Sequence, residues 1–192
     1  MESELLALLH TAKPNRDKLD ELIEALEAAA SIDLSDAQQQ QHLEGVWELR
    51  WSSSKQPYLQ VQPWLENLQV LMPSQGRGMN LLRLPPPLAA AGVAVEAELS
   101  LDPPKRVQVR FRRGGLLGPQ LAGWRANVMT GIQQSFPAWL DITALSDELR
   151  ICRGQNGTIF CLRKRHDLSA QALLPPLAKP WAGDEKRSDH SP

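Results

Sequence analysis

Residues 137–165 read PAWLDITALSDELRICRGQNGTIFCLRKR. Two alternating runs flank Gly154-Gln155-Asn156-Gly157. An Asn-Gly pair suits a two-residue hairpin turn, because both residues tolerate positive φ. With the turn there, Leu149 and Ile151 lie opposite Phe160 and Leu162 on one face. Arg150, Cys152, Cys161 and Arg163 then share the other face. Cys152 and Cys161 oppose each other directly, as two small outward side chains or, alternatively, as a redox pair. Register decides everything about this hairpin, since a slip of one residue exchanges its faces.

The same segment, WLDIT-L-DELRI-RG--G-IF-L, resembles the C-terminal signature of the plastid lipid-associated protein (PAP), or fibrillin, family. A second match lies upstream, in Leu43-Glu44-Gly45-Val46-Trp47-Glu48-Leu49-Arg50-Trp51-Ser52-Ser53, which is similar to the family's opening strand. Two positions differ from the family pattern: Ala144 stands where Tyr is usual and Ser146 where Asp is usual. No plastid transit peptide is visible, so the resemblance is to a cyanobacterial-type member. It implies a lipocalin-like antiparallel β-barrel with helices at its N-terminal side. It further implies non-catalytic binding of a small hydrophobic molecule (a lipid, quinone or carotenoid) at photosynthetic membranes. Peripheral contact with a thylakoid membrane or lipid globule follows from the same resemblance. The Gly-x-Trp opening is also similar to that of lipocalin-like barrels, where an Arg closes over the Trp. Here Trp47 with Arg150, Arg153 or Arg163 would reproduce that closure.

The residues themselves support a mainly β fold. Short alternating strands punctuated by Pro and Gly favour an antiparallel barrel over a sandwich. Gly45 to Ser53 alternates as a strand, and so does Val93 to Leu101, with Val95, Ala97 and Leu99 on one face. After the turn at Asp102-Pro103-Pro104, Val107, Val109 and Phe111 point inward and Arg106, Arg110 and Arg112 outward. Matching the two apolar faces puts Glu96 opposite Arg110. The barrel interior is thus expected to be lined by Trp47, Leu49, Trp51, Val95, Val109, Phe111, Leu149, Ile151, Phe160 and Leu162. Leu116 and Leu117 fall on a glycine-rich stretch, residues 113–119, which reads as a loop. Beside the basic stripe of Arg106, Arg110 and Arg112 they suit shallow insertion into a lipid interface, or else a barrel portal.

The chain of 192 residues carries a formal charge of −1, and the charge is unevenly spread. Residues 1–44 hold 10 acids and 3 bases, whereas residues 45–165 hold 8 acids and 15 bases. The expected organisation is an acidic helical leader over 1–42, the barrel over 43–165 and a mostly disordered tail over 166–192. In the leader, Asn15 is placed to cap a helix whose Leu19, Leu22, Ile23 and Leu26 form one apolar stripe.

The first residues, MESELLALLH, lack the basic segment and cleavage site of a secretory signal, which reads as cytoplasmic. No run approaches the ~18 apolar residues of a membrane-spanning helix. No catalytic motif, metal-ligand spacing or phosphate loop is present, and no cofactor is implied. A basic strand face without outward aromatic side chains does not suit nucleic acid. A filled barrel acting as an adaptor through protein or membrane-surface contacts stays open as the alternative.

Overall fold

Period-two alternation of apolar residues drives strand formation over most of the chain. The computed structural model describes residues 1–11, 13–56, 59–85, 92–121, 124–132 and 137–174. Its strands are β1 (Gly45–Ser52), β2 (Glu66–Met72), β3 (Arg77–Arg83), β4 (Gly92–Asp102), β5 (Arg106–Leu121), β6 (Trp124–Gly131), β7 (Pro137–Leu145), β8 (Leu149–Gly154) and β9 (Ile159–Lys164). They join in the order β4-β3-β2-β1-β9-β8-β7-β5-β6, and β4 also pairs with β5. That last pairing closes eight of the strands into an antiparallel barrel and leaves β6 outside it, so the fold is the expected lipocalin-like one. The long strand β5 serves both parts: residues 106–110 pair with β7 and residues 113–121 with β6.

Helices cover the barrel. Asn15 caps α2 (Arg16–Ala29) as expected, accepting the Lys18 N–H at 3.2 Å. With α1 (Glu2–Leu9), it buries Leu5, Leu9, Leu19, Leu22 and Ile23 against the outer wall of β7, β8 and β9. Arg153 on β8 fastens this contact through two hydrogen bonds to Glu27, at 2.9 and 2.6 Å. Ser146 does the local work of an acidic turn residue: its hydroxyl accepts the Glu148 and Leu149 N–H groups and donates to Glu2 at 2.7 Å. The segment around α3 (Ala37–Leu43) closes one barrel end. Leu34 and Leu43 enter the interior cluster, and the Leu34 N–H donates to the Pro104 carbonyl at 2.6 Å.

Residues 170–173 form a short helix, α4 (Ala170–Leu173), capped by Ser169. Ala170, Leu173 and Leu174 pack on Val46, Leu68 and Val70 on the outside of β1 and β2. This helix falls within the expected tail, 166–192, of which residues 175–192 lie outside the described residues.

The decisive hairpin departs from its sequence reading by one residue. Arg153 pairs with Ile159, Ile151 with Cys161 and Cys152 with Phe160. The loop is three residues long, Gln155 to Gly157, closed by the Gly154 N–H donating to Thr158 at 2.8 Å. Within it, Gly157 has positive φ, at 72°, whereas a two-residue turn needs positive φ at both Asn156 and Gly157. The odd loop length transfers every side chain of β8 to the opposite face. Leu149 and Ile151 consequently lie outside, beneath the helices, and Arg150 and Cys152 lie inside.

Candidate ligand site in the barrel interior

The interior is organised in layers from the closed end upward. Trp47 forms the floor, fully buried, with its indole N–H donating to the Leu43 carbonyl at 2.9 Å. The Arg150 guanidinium lies 5.0 Å from the Trp47 ring centre and the Lys164 ammonium 5.2 Å from it. Of the three arginines that the closure could use, the fold employs Arg150. Arg153 is held by Glu27 and Arg163 meets His10 at 3.3 Å.

Arg150 is the unexpected member of this floor. It is 0% exposed and donates from Nη2 to the side-chain oxygen of Gln69. Among the described residues it forms no salt bridge, and its Nε and Nη1 have no hydrogen-bond partner. Burial depresses its pKa, partly opposed by the neighbouring Cys152 thiol. Lys164 donates to the His42 carbonyl at 2.8 Å, and burial lowers its pKa as well. The same burial raises the pKa values of Cys152 and Cys161.

Above the floor the wall is apolar. Leu49, Ala97, Leu99, Val107, Cys152, Phe160 and Leu162 are buried in one cluster, with Val109, Phe111 and Leu140 half-buried against it. Gly78 belongs to this packing: a Cβ there would meet the Leu99 side chain at 2.9 Å. The wall then continues past the barrel. Arg112 is the extra residue of a β-bulge opposite Glu96 and Ala97, and it reverses the alternation of β5. Leu116 thereby comes to the same face as Val95 and Val93. Val93 pairs with Leu116, and Leu116 with Val128 on β6. These three form an exposed apolar row, 50%, 62% and 71% exposed, at the open end.

Of the ten expected lining residues, Trp47, Leu49, Val109, Phe111, Phe160 and Leu162 meet in the interior cluster. Val95 is half-buried on the same face nearer the rim. Trp51, Leu149 and Ile151 must be corrected to the helix-covered outside. For Leu149 and Ile151 the cause is the hairpin loop. For Trp51 it is a register shift between Leu49 and Trp51, which pairs Trp51 with Cys161. The alternation in Gly45–Ser52 is broken there, and composition carries no mark of the bulge.

The basic surface also needs correction. The glycine-rich stretch 113–119 is part of strand β5 rather than a loop. Leu116 is exposed, but Leu117 is buried, 2% exposed, in the cluster around α4. Arg110 faces Glu98, two residues from the expected register of the turn at Pro103-Pro104, and the bulge at Arg112 moves the partner of Glu96 one residue further, to Arg113. Arg112 pairs with Glu98. Arg106 pairs with Asp141 at 2.7 Å and stacks on Trp139, its guanidinium 3.9 Å from the ring centre. Cys152 and Cys161, expected to oppose each other on the outside, are buried on opposite faces of the sheet. Among the described residues no helix is long and apolar enough to cross a membrane.

No curated protein and no solved structure matches the chain. A protein-family model does: PAP_fibrillin matches residues 6–163, covering the second half of α1, all of α2 and α3, and every strand of the barrel except the last residue of β9. The Trp47 opening and all but the last residues of the signature hairpin and barrel fall inside that match, and the chain belongs to the PAP/fibrillin family.

Proposed function

We propose that the barrel binds one small hydrophobic molecule, a lipid, quinone or carotenoid, without acting on it chemically, and does so at photosynthetic membranes of a cyanobacterial-type host. The observation that carries this reading is the continuity of one apolar face. It runs from the Trp47 and Leu49 layer through Phe111 and Phe160 to the row of Val93, Leu116 and Val128 at the open end. A closed end and an exposed apolar rim give an extended hydrophobe a direction of approach. Exposed apolar rows of this kind are otherwise costly in water, and they commonly mark contacts with ligands or membranes. The rim would meet the membrane or lipid globule peripherally.

The test is to purify the protein from a pigmented photosynthetic host under mild conditions and extract it with organic solvent. Mass spectrometry is expected to find a stoichiometric isoprenoid or acyl lipid, and readdition of that compound is expected to quench Trp emission. An empty extract, with no quenching by any quinone, carotenoid or lipid, would overturn the proposal in favour of a filled barrel that works as an adaptor.

A further inference from the structure

The floor of the barrel carries a charge that its own residues do not answer. Arg150 is fully buried, its Nε and Nη1 have no hydrogen-bond partner among the described residues, and its side-chain hydrogen bonds go to neutral groups, the amide oxygen of Gln69 and the Cys152 thiol. No carboxylate among the described residues forms a salt bridge with Arg150 or with Lys164, although the two cations flank the same Trp47 ring. Other buried cations of this chain are handled differently. Arg83, close to buried at the surface of the wall, is paired with Glu66 at 2.6 Å, and Arg77 lies 4.0 Å from Glu96. A buried charge left without a counter-charge is strongly disfavoured, as are buried donors left without acceptors. Stacking on Trp47 returns only a part of that cost.

The geometry points to Arg150 as the anchor of an acidic head group: the barrel takes a carboxylate-headed chain, head down, with the carboxylate on the free Arg150 donors and the apolar chain along the wall toward Val93, Leu116 and Val128. Lys164, 5.2 Å from the Trp47 ring centre, adds positive potential. Hydrogen bonds between an ionised donor and an ionised acceptor are about twice as strong as neutral ones, so a carboxylate should be selected over an uncharged head. This inference rests on the hydrophobe-binding reading and ranks an anionic amphiphile above an uncharged one of the same chain.

The experiment compares cis-parinaric acid with its methyl ester, two probes of identical chain whose emission rises on transfer from water to an apolar site. For the wild-type protein, the acid is expected to bind about tenfold or more tightly than the ester. Arg150→Gln is expected to abolish that preference by weakening the acid to the level of the ester, and Arg150→Lys to retain part of it. The circular dichroism spectrum verifies that each variant folds, and the wild-type comparison decides the matter by itself if neither variant does. Excess acetate should not displace the acid, because the chain supplies most of the affinity; displacement by acetate would mean a site for free anions and would overturn the proposal. Equal affinity of the wild type for acid and ester would overturn the anchor while leaving the hydrophobe reading intact. Binding of neither probe would overturn both.

Discussion

Ile151 pairs with Cys161, not with Leu162, and this single register places the two cysteines on opposite sides of the barrel wall. Both thiols are buried, and burial raises their pKa values, which keeps them protonated and unreactive. The native protein is therefore expected to resist a thiol reagent such as Ellman's reagent at pH 8 and to release two equivalents once unfolded in guanidinium. Mild oxidants should not link Cys152 to Cys161. Rapid native labelling of either cysteine, or an intramolecular disulfide, would mean that the register is wrong.

The acidic leader acts as the cover of an apolar wall, which sets its energetic weight. Leu19 and Ile23 are 0% and 1% exposed against Leu149, Ile151 and Cys161. Leu19→Ala or Ile23→Ala is expected to cost about 2–5 kcal/mol in urea unfolding. Leu116→Ser, on the exposed rim, should change stability by no more than about 0.5 kcal/mol yet weaken attachment to lipid vesicles. A destabilisation by Leu116→Ser as large as that of Leu19→Ala would show that the rim row is covered.

Trp47 supports the closed end twice, by filling it and by holding the Leu43 carbonyl. Trp47→Ala is expected to cost about 3–5 kcal/mol, read from the urea midpoint. Trp51→Ala would act differently: it removes packing from beneath the helices and should leave ligand affinity unchanged. Equal loss of ligand binding in both variants would contradict the assignment of Trp51 to the outer face.

Acid sensitivity should concentrate at Glu66, which accepts from Arg83 at 2.6 Å and Arg165 at 2.9 Å. Burial opposes its ionisation, but the hydrogen bonds and charges of the two arginines outweigh burial and hold its pKa below the ordinary 4.5. A group whose pKa is depressed in the folded state contributes stability above its unfolded pKa and loses it as pH falls through the folded value. Unfolding free energy should thus decline below about pH 4.5, partly through this site. Glu66→Gln is expected to be less stable at pH 7 and to show a shallower decline between pH 5 and 3. An identical pH profile for variant and wild type would remove Glu66 from the account.

What the sequence allowed follows from where physical signals are local. The helix from Arg16, its Asn15 cap, the Trp47 strand up to Leu49 and the antiparallel pairing of the strands around Pro103-Pro104 are all written in short-range patterns, and all form, although that strand pair lies two residues from its face-matched register. The interior positions Val109, Phe111, Phe160 and Leu162 followed from alternation. What escaped were the places where a strand gains a residue: the three-residue loop before Thr158, the shift at Leu49 and Trp51, and the bulge at Arg112. Each exchanges the two faces of a strand, and none has a compositional signature. Leu34 and Leu43 escaped for another reason, since a plug is defined only by the end of the barrel that it closes. Arg150 had been singled out as a partner for Trp47; that it would lie inside without a counter-charge depended on the hairpin register.

The most direct test of the central claim is a fluorescence titration of the purified protein with a hydrophobic quinone. It should be run beside Val109→Trp, a variant that fills the interior at a half-buried position. The wild type is expected to saturate at one molecule per chain with quenched Trp emission, and Val109→Trp to fold normally and lose that binding. Unchanged binding by the filled variant, or no saturable binding by the wild type, would contradict a ligand inside the barrel.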